Sequence, residues 1–305
     1  MEQVALVVGE ALVDVVRTSD GPDRHHPGGS SANAAVALAR LGRPVTFLTA
    51  FAQDDHGQLL AEHLRDNGVQ VGGNPLALDR TATAVATVAE SGAASYEFDV
   101  EWRPGPLSLP TGTDPVVVVF GSLGAALDPG ALDVAALVTE HRAAALVVFD
   151  LNARPQVTGT GPEVVTRAEE MAALADVVKA SDEDLDALWP GQEHREVAAG
   201  FLARGAGAVI VTRGGEGAAW FTASGEGEVP ANRTPVVDTI GAGDTVTAAV
   251  VDALWSFEVV GPGARERLRD LGPTRWTAVL AHAARAAAVT VGRPGADPPR
   301  RSELS

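Results

Sequence analysis

Five short apolar runs in this chain each stop at a glycine or a polar residue. They are residues 4–8 before Gly9, 116–120 before Gly121, 146–149 before Asp150, 177–178 before Lys179 and 209–211 before Thr212. None alternates apolar with polar positions. Alternation marks a strand buried on one face, whereas an unbroken run suits a strand buried on both, as in a parallel sheet. Helical spacing fills the intervals: residues 30–41 with Gly42 as C-cap, 58–67, 132–141, 163–174 and 195–204. This order implies an α/β fold, doubly wound, with a mainly parallel sheet flanked by helices. Ligands in such folds sit beyond the carboxyl ends of the strands, which directs attention to the residues just after each run.

One segment departs from the pattern. Residues 84–89 and 94–100 read as two strands around a Ser91-Gly92 turn, the second with apolar–polar alternation. With residues 11–17 they make a small β lid outside the main sheet, spanning about 11–17 and 81–103. No internal repeat is present, and residues 1–305 read as a single domain. Residues 298–305 read as a loose polar tail.

Composition removes several functions. With 46% apolar residues, the 305-residue chain can bury a sizeable core. A formal net charge of −17 disfavours nucleic acid and anionic membranes as partners. An anionic substrate must therefore be gathered by local features. The absence of cysteine excludes disulfides, thiolate metal sites and cysteine nucleophiles. The longest apolar stretch, near residues 278–291, carries His282 and Arg285 and does not suit a membrane span. The first residues hold neither a basic segment nor a cleavage-site pattern, and a cytoplasmic location is expected. His25 and His26 are sequence neighbours without a third ligand and read as exposed loop histidines, so zinc is not expected. GxxxxGK[ST] is missing, and residues 9–14 read GEALVD rather than GxGxxG. A P-loop and a dinucleotide fingerprint are thus both disfavoured.

Chemistry concentrates in a few elements. Residues 238–244 read DTIGAGD and lead into a helical run over 245–254. A helix N-terminus favours anions, and glycines let a phosphate approach its backbone. Asp244 would then set a carboxylate beside a bound phosphate, where a phosphoryl acceptor needs a base. The competing reading is an Asp N-cap. A second glycine-rich element, residues 27–33, places Asn33 in the first turn of a helix, where an amide can bond sugar hydroxyls. Asp14, just past the first strand, can accept from vicinal hydroxyls. Asp150, Asn152 and Arg154 alternate at a strand end and can share the cleft, with Arg154 as a phosphate clamp. Residues 212–217, TRGGEG, offer a backbone-rich nucleotide cradle.

GGSSANAAVALARLG and DTIGAGDTVTAAVVDAL resemble the two signature regions of ribokinase-like (PfkB) carbohydrate kinases, in order and spacing. DLNARP, KASDEDLDAL and TRGGEG are similar to the intervening motifs, and the resemblance runs from about residue 4 to 299. It implies an ATP-dependent kinase acting on a primary sugar hydroxyl, with Asp244 as base and the N–H groups of Gly241, Ala242 and Gly243 as anion hole. Asp14, Gly28, Gly29 and Asn33 would hold the sugar, and Arg154 would serve both acceptor and phosphates. Thr212, Gly214 and Gly217 would line the ATP site, with Lys179 and Asp184 at its phosphate end and His282 near the adenine. Asp238 and Ile240, with carbonyls of 288–295, resemble a monovalent-cation site, usually potassium. Mg²⁺ would arrive with ATP. The ending GRPGADPP and Tyr96 in Tyr96-Glu97-Phe98 resemble fructokinases, which implies fructose as substrate. Lids of such kinases often pair, which implies a homodimer. 2-Keto-3-deoxygluconate kinases share much of the pattern, with Arg103 or Arg167 available for a carboxylate; ribose or nucleoside kinases and a non-catalytic sensor on this fold are further alternatives. Ser181 stands where many relatives have Asn, Asp184 where they have Glu, and Thr158 where Trp is frequent.

Overall fold

Every apolar run forms a strand, and each strand extends past the run that announced it. The structure, a computed structural model, describes residues 2–18, 21–88 and 94–304. In chain order the strands are β1 (Glu2–Val8), β2 (Leu12–Thr18), β3 (Arg24–Gly28), β4 (Val45–Leu48), β5 (Gln70–Gly72), β6 (Thr83–Val88) and β7 (Ala94–Asp99). Then come β8 (Thr113–Gly121), β9 (Leu146–Asp150), β10 (Val177–Ser181), β11 (Ala208–Thr212), β12 (Ala218–Thr222) and β13 (Gly225–Val229). The helices are α1 (Ser30–Arg40), α2 (Asp55–Asp66), α3 (Ser122–Ala126), α4 (Gly130–His141), α5 (Pro155–Thr158) and α6 (Pro162–Leu174). They continue with α7 (Asp182–Leu188), α8 (His194–Ala203), α9 (Ala242–Ser256), α10 (Ala264–Arg269) and α11 (Pro273–Val291).

Among the described residues, nine strands form the main sheet in the order β13-β12-β11-β10-β9-β8-β1-β4-β5. The β11–β12 and β12–β13 pairs are antiparallel and the rest parallel. The chain winds from β1 to β5 in one direction and from β8 to β11 in the other. The reversal between β1 and β8 opens the crevice in which doubly wound sheets bind ligands. Register sets Gly121 beside Asp150, Asp150 beside Lys179, and Ser181 beside Thr212, so the polar strand ends make one rim.

The missing alternation has a simple cause. Successive residues of the central strands enter opposite cores. Ala5, Val7, Val117, Val119 and Ile210 pack with Ala35 of α1, Val250 of α9 and Leu280 of α11. Leu6, Val8, Val118, Phe120 and Val209 pack with Val138 of α4, Met171 of α6 and Phe201 of α8. Both faces are apolar, so both parities are apolar.

The lid is a separate sheet, β3-β2-β6-β7. Its strand β3 was not expected, because Arg24-His25-His26 gives no apolar signal. The Ser91-Gly92 turn lies outside the described residues. The tail expectation needs correction: Arg301 donates to the Leu41 carbonyl at 2.5 Å and pairs with Asp252, and Arg40 donates to the Pro298 carbonyl at 2.7 Å. Residues 298–304 are strapped to α1 and α9, which a run of prolines and arginines does not announce. No helix among the described residues is long and apolar enough to cross a membrane.

Candidate active site

Helix α9 begins at Ala242, which makes Asp244 its third residue rather than its N-cap. Gly241 takes the cap position at φ 75°, and no side chain caps the helix. A Cβ on Gly241 would stand 2.7 Å from the Cβ of Ala296, so the turn needs glycine twice over. Asp244 bonds across to other elements instead of back to its own backbone. Its Oδ1 accepts from Ser30 Oγ at 2.8 Å and Asn152 Nδ2 at 3.2 Å, and its Oδ2 accepts from Asn33 Nδ2 at 2.8 Å. The capping reading is thereby set aside. Asn152 Nδ2 also reaches Ser30 Oγ at 2.6 Å, closing a small ring of donors around one buried carboxylate. Two helix N-termini, those of α1 and α9, thus converge on Asp244. Of the three N–H groups expected to form the anion hole, that of Ala242 donates to the Thr239 carbonyl at 3.2 Å.

Asp14 lies within β2 of the lid, opposite His26, in the segment expected to form it. Its carboxylate covers Gly28: a Cβ there would sit 2.2 Å from Asp14 Oδ2. Gly29, at φ 98°, lies against the Glu10 carbonyl. Burial pushes the Asp14 carboxyl up to about 6, with Arg154 opposing and Asp244 reinforcing the rise. Sugar hydroxyls donate to the ionised form. Sugar affinity is therefore expected to fall as pH drops through about 6, and Asp14→Asn to lose that dependence; titrations of sugar binding between pH 5 and 8 check it. The stability effect runs the other way. A raised folded pKa favours the protonated form, so Asp14 costs stability above about 6 and the cost lessens below it. Tyr96 stands opposite Ala86 in the lid, and its side chain lies outside the described residues.

Lys179 and Asp184, expected at the phosphate end, lie at β10 and just after it, beside the end of β9. Lys179 Nζ donates to Asp150 Oδ1 at 3.0 Å, and Thr247 Oγ1 of α9 donates to Asp150 Oδ2 at 2.5 Å. A Cβ on Gly243 would meet Lys179 Nζ at 3.0 Å, so the ammonium lies directly behind the start of α9. Burial acts to discharge Lys179, but Asp150, Asp184 and Asp244 outweigh it and hold the ammonium charged. Asp184 has both oxygens engaged: Oδ1 accepts from the Ala153 N–H and Oδ2 from the Ser181 N–H, each at 2.8 Å. With Ser181 Oγ accepting from the Asp184 N–H, residues 181–184 form a capping box for α7. Ser181 therefore serves its helix well, whatever an Asn would offer a metal.

Of the residues expected to line the ATP site, Thr212 ends β11 and Gly214, at φ 47°, opens the turn that follows. A Cβ on Gly217 would collide with the Val229 carbonyl at 2.1 Å, whereas those on Gly214 and Gly215 would meet open space. Arg154 is folded back, donating to Asn152 Oδ1 at 2.6 Å and to the Ala153 carbonyl at 2.9 Å. His282 Nε2 is 2.9 Å from Asp252 Oδ2, in a cluster with Arg43 and Arg301 two turns along α9 from Asp244. That pairing ties α11 to α9 through the edge of the ring. Asp238 is a brace: its oxygens accept the Ile240 N–H at 3.0 Å and the Gly295 N–H at 2.8 Å.

Sequence reasoning assigned no role to Glu10, Ser30 or Thr247. Ser30 adjoins Gly28-Gly29, and a serine pair there was the available signal. Thr247 lies one turn past Asp244, on the face that meets β9. Glu10 was visible only as a carboxylate directly after a buried strand.

Comparison with known proteins agrees with this geometry. Residues 3–302 match the model of the pfkB family carbohydrate kinases. A fructokinase of Rhizobium leguminosarum bv. trifolii is 36% identical over 259 residues, covering 82% of this chain and 79% of the relative. An aminoimidazole riboside kinase of Salmonella typhimurium is 34% identical over 259 residues, covering 81% and 80%. The structure of a fructokinase with bound ATP from Xylella fastidiosa superposes with a TM-score of 0.85 at 27% identity, covering 99% of this chain and 96% of that one. With the match running nearly end to end, over residues 3–302, the chain belongs to the PfkB family of carbohydrate kinases.

Proposed function

We propose that this sugar kinase transfers the γ-phosphoryl of ATP to a primary hydroxyl of a neutral sugar, with fructose as the leading substrate. One observation carries the reading: Asp244 is fixed on both oxygens by Ser30, Asn33 and Asn152 at the uncapped start of α9. Asp244 takes the proton of the hydroxyl, the sugar oxygen bonds to the γ-phosphorus, and the bond to the β–γ bridging oxygen breaks to release ADP. The turn at 241–243 and the positive end of α9 favour the charge on the phosphoryl oxygens, with Lys179 behind them. Mg²⁺ would be held mainly by ATP and would neutralise its phosphates, with Asp184 a rim carboxylate whose oxygens, each accepting one backbone N–H, keep a lone pair for it. A potassium ion would be held by carbonyls of the loops that Asp238 braces, stiffening the turn beside Gly241.

The fructokinase relatives support fructose, and the riboside kinase relative makes a riboside the second reading. A sugar acid fits less well. Arg103 pairs with Glu101, and Arg167 with Asp128 at 2.9 Å, so a substrate carboxylate would compete with an existing partner for either cation. The sugar side also carries the carboxylates of Glu10, Asp14 and Asp244, with Arg154 the cation that acts on the first two. A panel of fructose, aminoimidazole riboside, ribose and 2-keto-3-deoxygluconate, read as kcat/KM from ADP release, is expected to rank fructose first. A higher kcat/KM for the sugar acid overturns the neutral-sugar reading. Pairing of two copies through the lid is expected to give a dimer mass in sedimentation, lost when lid strands are replaced.

A further inference from the structure

Glu10 sits at the switch point between β1 and β8 and is 3% exposed. A buried carboxylate is costly unless its oxygens are satisfied, and these are. Oε1 accepts the Ser30 N–H at 3.1 Å, and Oε2 accepts the Gly124 N–H at 2.9 Å and Ser31 Oγ at 3.4 Å. The surroundings are shaped for it: a Cβ on Gly124 would come 3.3 Å from Oε2. Burial drives the Glu10 carboxyl up, while the Gly124 N–H and the Arg154 charge pull against the rise.

None of those donors belongs to the sugar or to ATP. They belong to the first turn of α1 and to α3. The first turn of α1 is the turn whose side chains hold Asp244, through Ser30 Oγ and Asn33 Nδ2. Gly29, the N-cap of α1, offers no side chain to fix that turn. The carboxylate of Glu10 does that work from outside the helix, and it does so from the loop following the first strand.

We propose that Glu10 is a positioning residue for the phosphoryl transfer. By gripping the Ser30 N–H it anchors the first turn of α1 against α3, and so fixes the two side chains that aim the Asp244 carboxylate at the sugar hydroxyl. This rests on the assignment of Asp244 as base. It differs from a general packing role in one respect: the effect passes through Ser30 and Asn33.

The test is a mutant cycle read in kcat. Glu10→Gln puts an amide N–H₂ opposite backbone donors and is expected to lower kcat by about 10- to 100-fold, in line with a small misplacement of a catalytic group. KM for ATP is expected to change less than about twofold, because the nucleotide elements are untouched. In a Ser30→Ala/Asn33→Ala background Glu10 has nothing left to aim, and Glu10→Gln is expected to change kcat by less than about twofold. The same 10- to 100-fold loss in both backgrounds overturns the proposal, as does an unchanged kcat in the single variant. Should Glu10→Gln fail to unfold cooperatively, Glu10→Asp, which keeps the charge and shortens the reach, carries the same cycle. If Asp244→Asn retains full kcat, the base assignment itself has failed, which separates that failure from one of the proposal.

Discussion

Asp244→Asn is expected to lower kcat by about 10²–10⁴-fold, the range that a positioned general base contributes, with sugar affinity changed only a few-fold. The carboxylate serves two ends at once. Its Oδ1 and Oδ2 accept hydrogen bonds from Ser30, Asn152 and Asn33, and the same group takes the proton of the acceptor. An amide can keep some of the bonds but cannot take the proton. Because Oδ1 and Oδ2 both face donors, one of them meets the new N–H₂ whichever way the amide turns. A modest loss of stability, about 1–3 kcal/mol for a mismatched buried group, accompanies the kinetic loss. Steady-state rates of ADP release, with sugar binding measured separately, check the split. A variant that retains turnover within tenfold contradicts the role of base.

Lys179→Met has the largest expected effect on folding. Asp150 and Lys179 are both buried, and removing the cation leaves a carboxylate with only the Thr247 hydroxyl as side-chain donor. Breaking a buried pair by removing one partner costs about 3–5 kcal/mol. The shift in urea midpoint measures it. Replacing both partners, as in Asp150→Leu/Lys179→Met, is expected to recover much of the loss, since no unpaired charge remains. A loss below about 1 kcal/mol in the single variant would place the pair in a far wetter setting than its burial implies. The pair also explains why a chain that otherwise uses arginine keeps its one lysine here. A compact ammonium fits behind Gly243, where a Cβ alone would already stand at 3.0 Å.

The main sheet was legible because both of its faces are buried, which makes strands such as β8 and β11 unbroken apolar runs. Strands lacking that signature escaped notice. β4 is four residues long, and β12 with β13 forms an antiparallel hairpin on the glycine-rich segment after the nucleotide turn. β3 is an exposed lid edge rich in histidine and arginine. Of the site, the residues with local signals were readable: Gly241 to Asp244, and Gly28-Gly29 ahead of Asn33. The contacts that decide between cap and base were not, because Ser30 and Asn152 lie 214 and 92 positions from Asp244. His282 has a partner the sequence does not announce: its Nε2 meets Asp252, 30 positions away on another helix.

Sugar-stimulated ADP release by the purified protein, supplied with ATP, Mg²⁺ and fructose, tests the account most directly. One ADP and one sugar phosphate are expected per turnover, with ADP release falling to background when the sugar is omitted. ATP and sugars that bind without any sugar, riboside or sugar acid raising ADP release would contradict it, leaving a ligand-binding protein on a kinase fold.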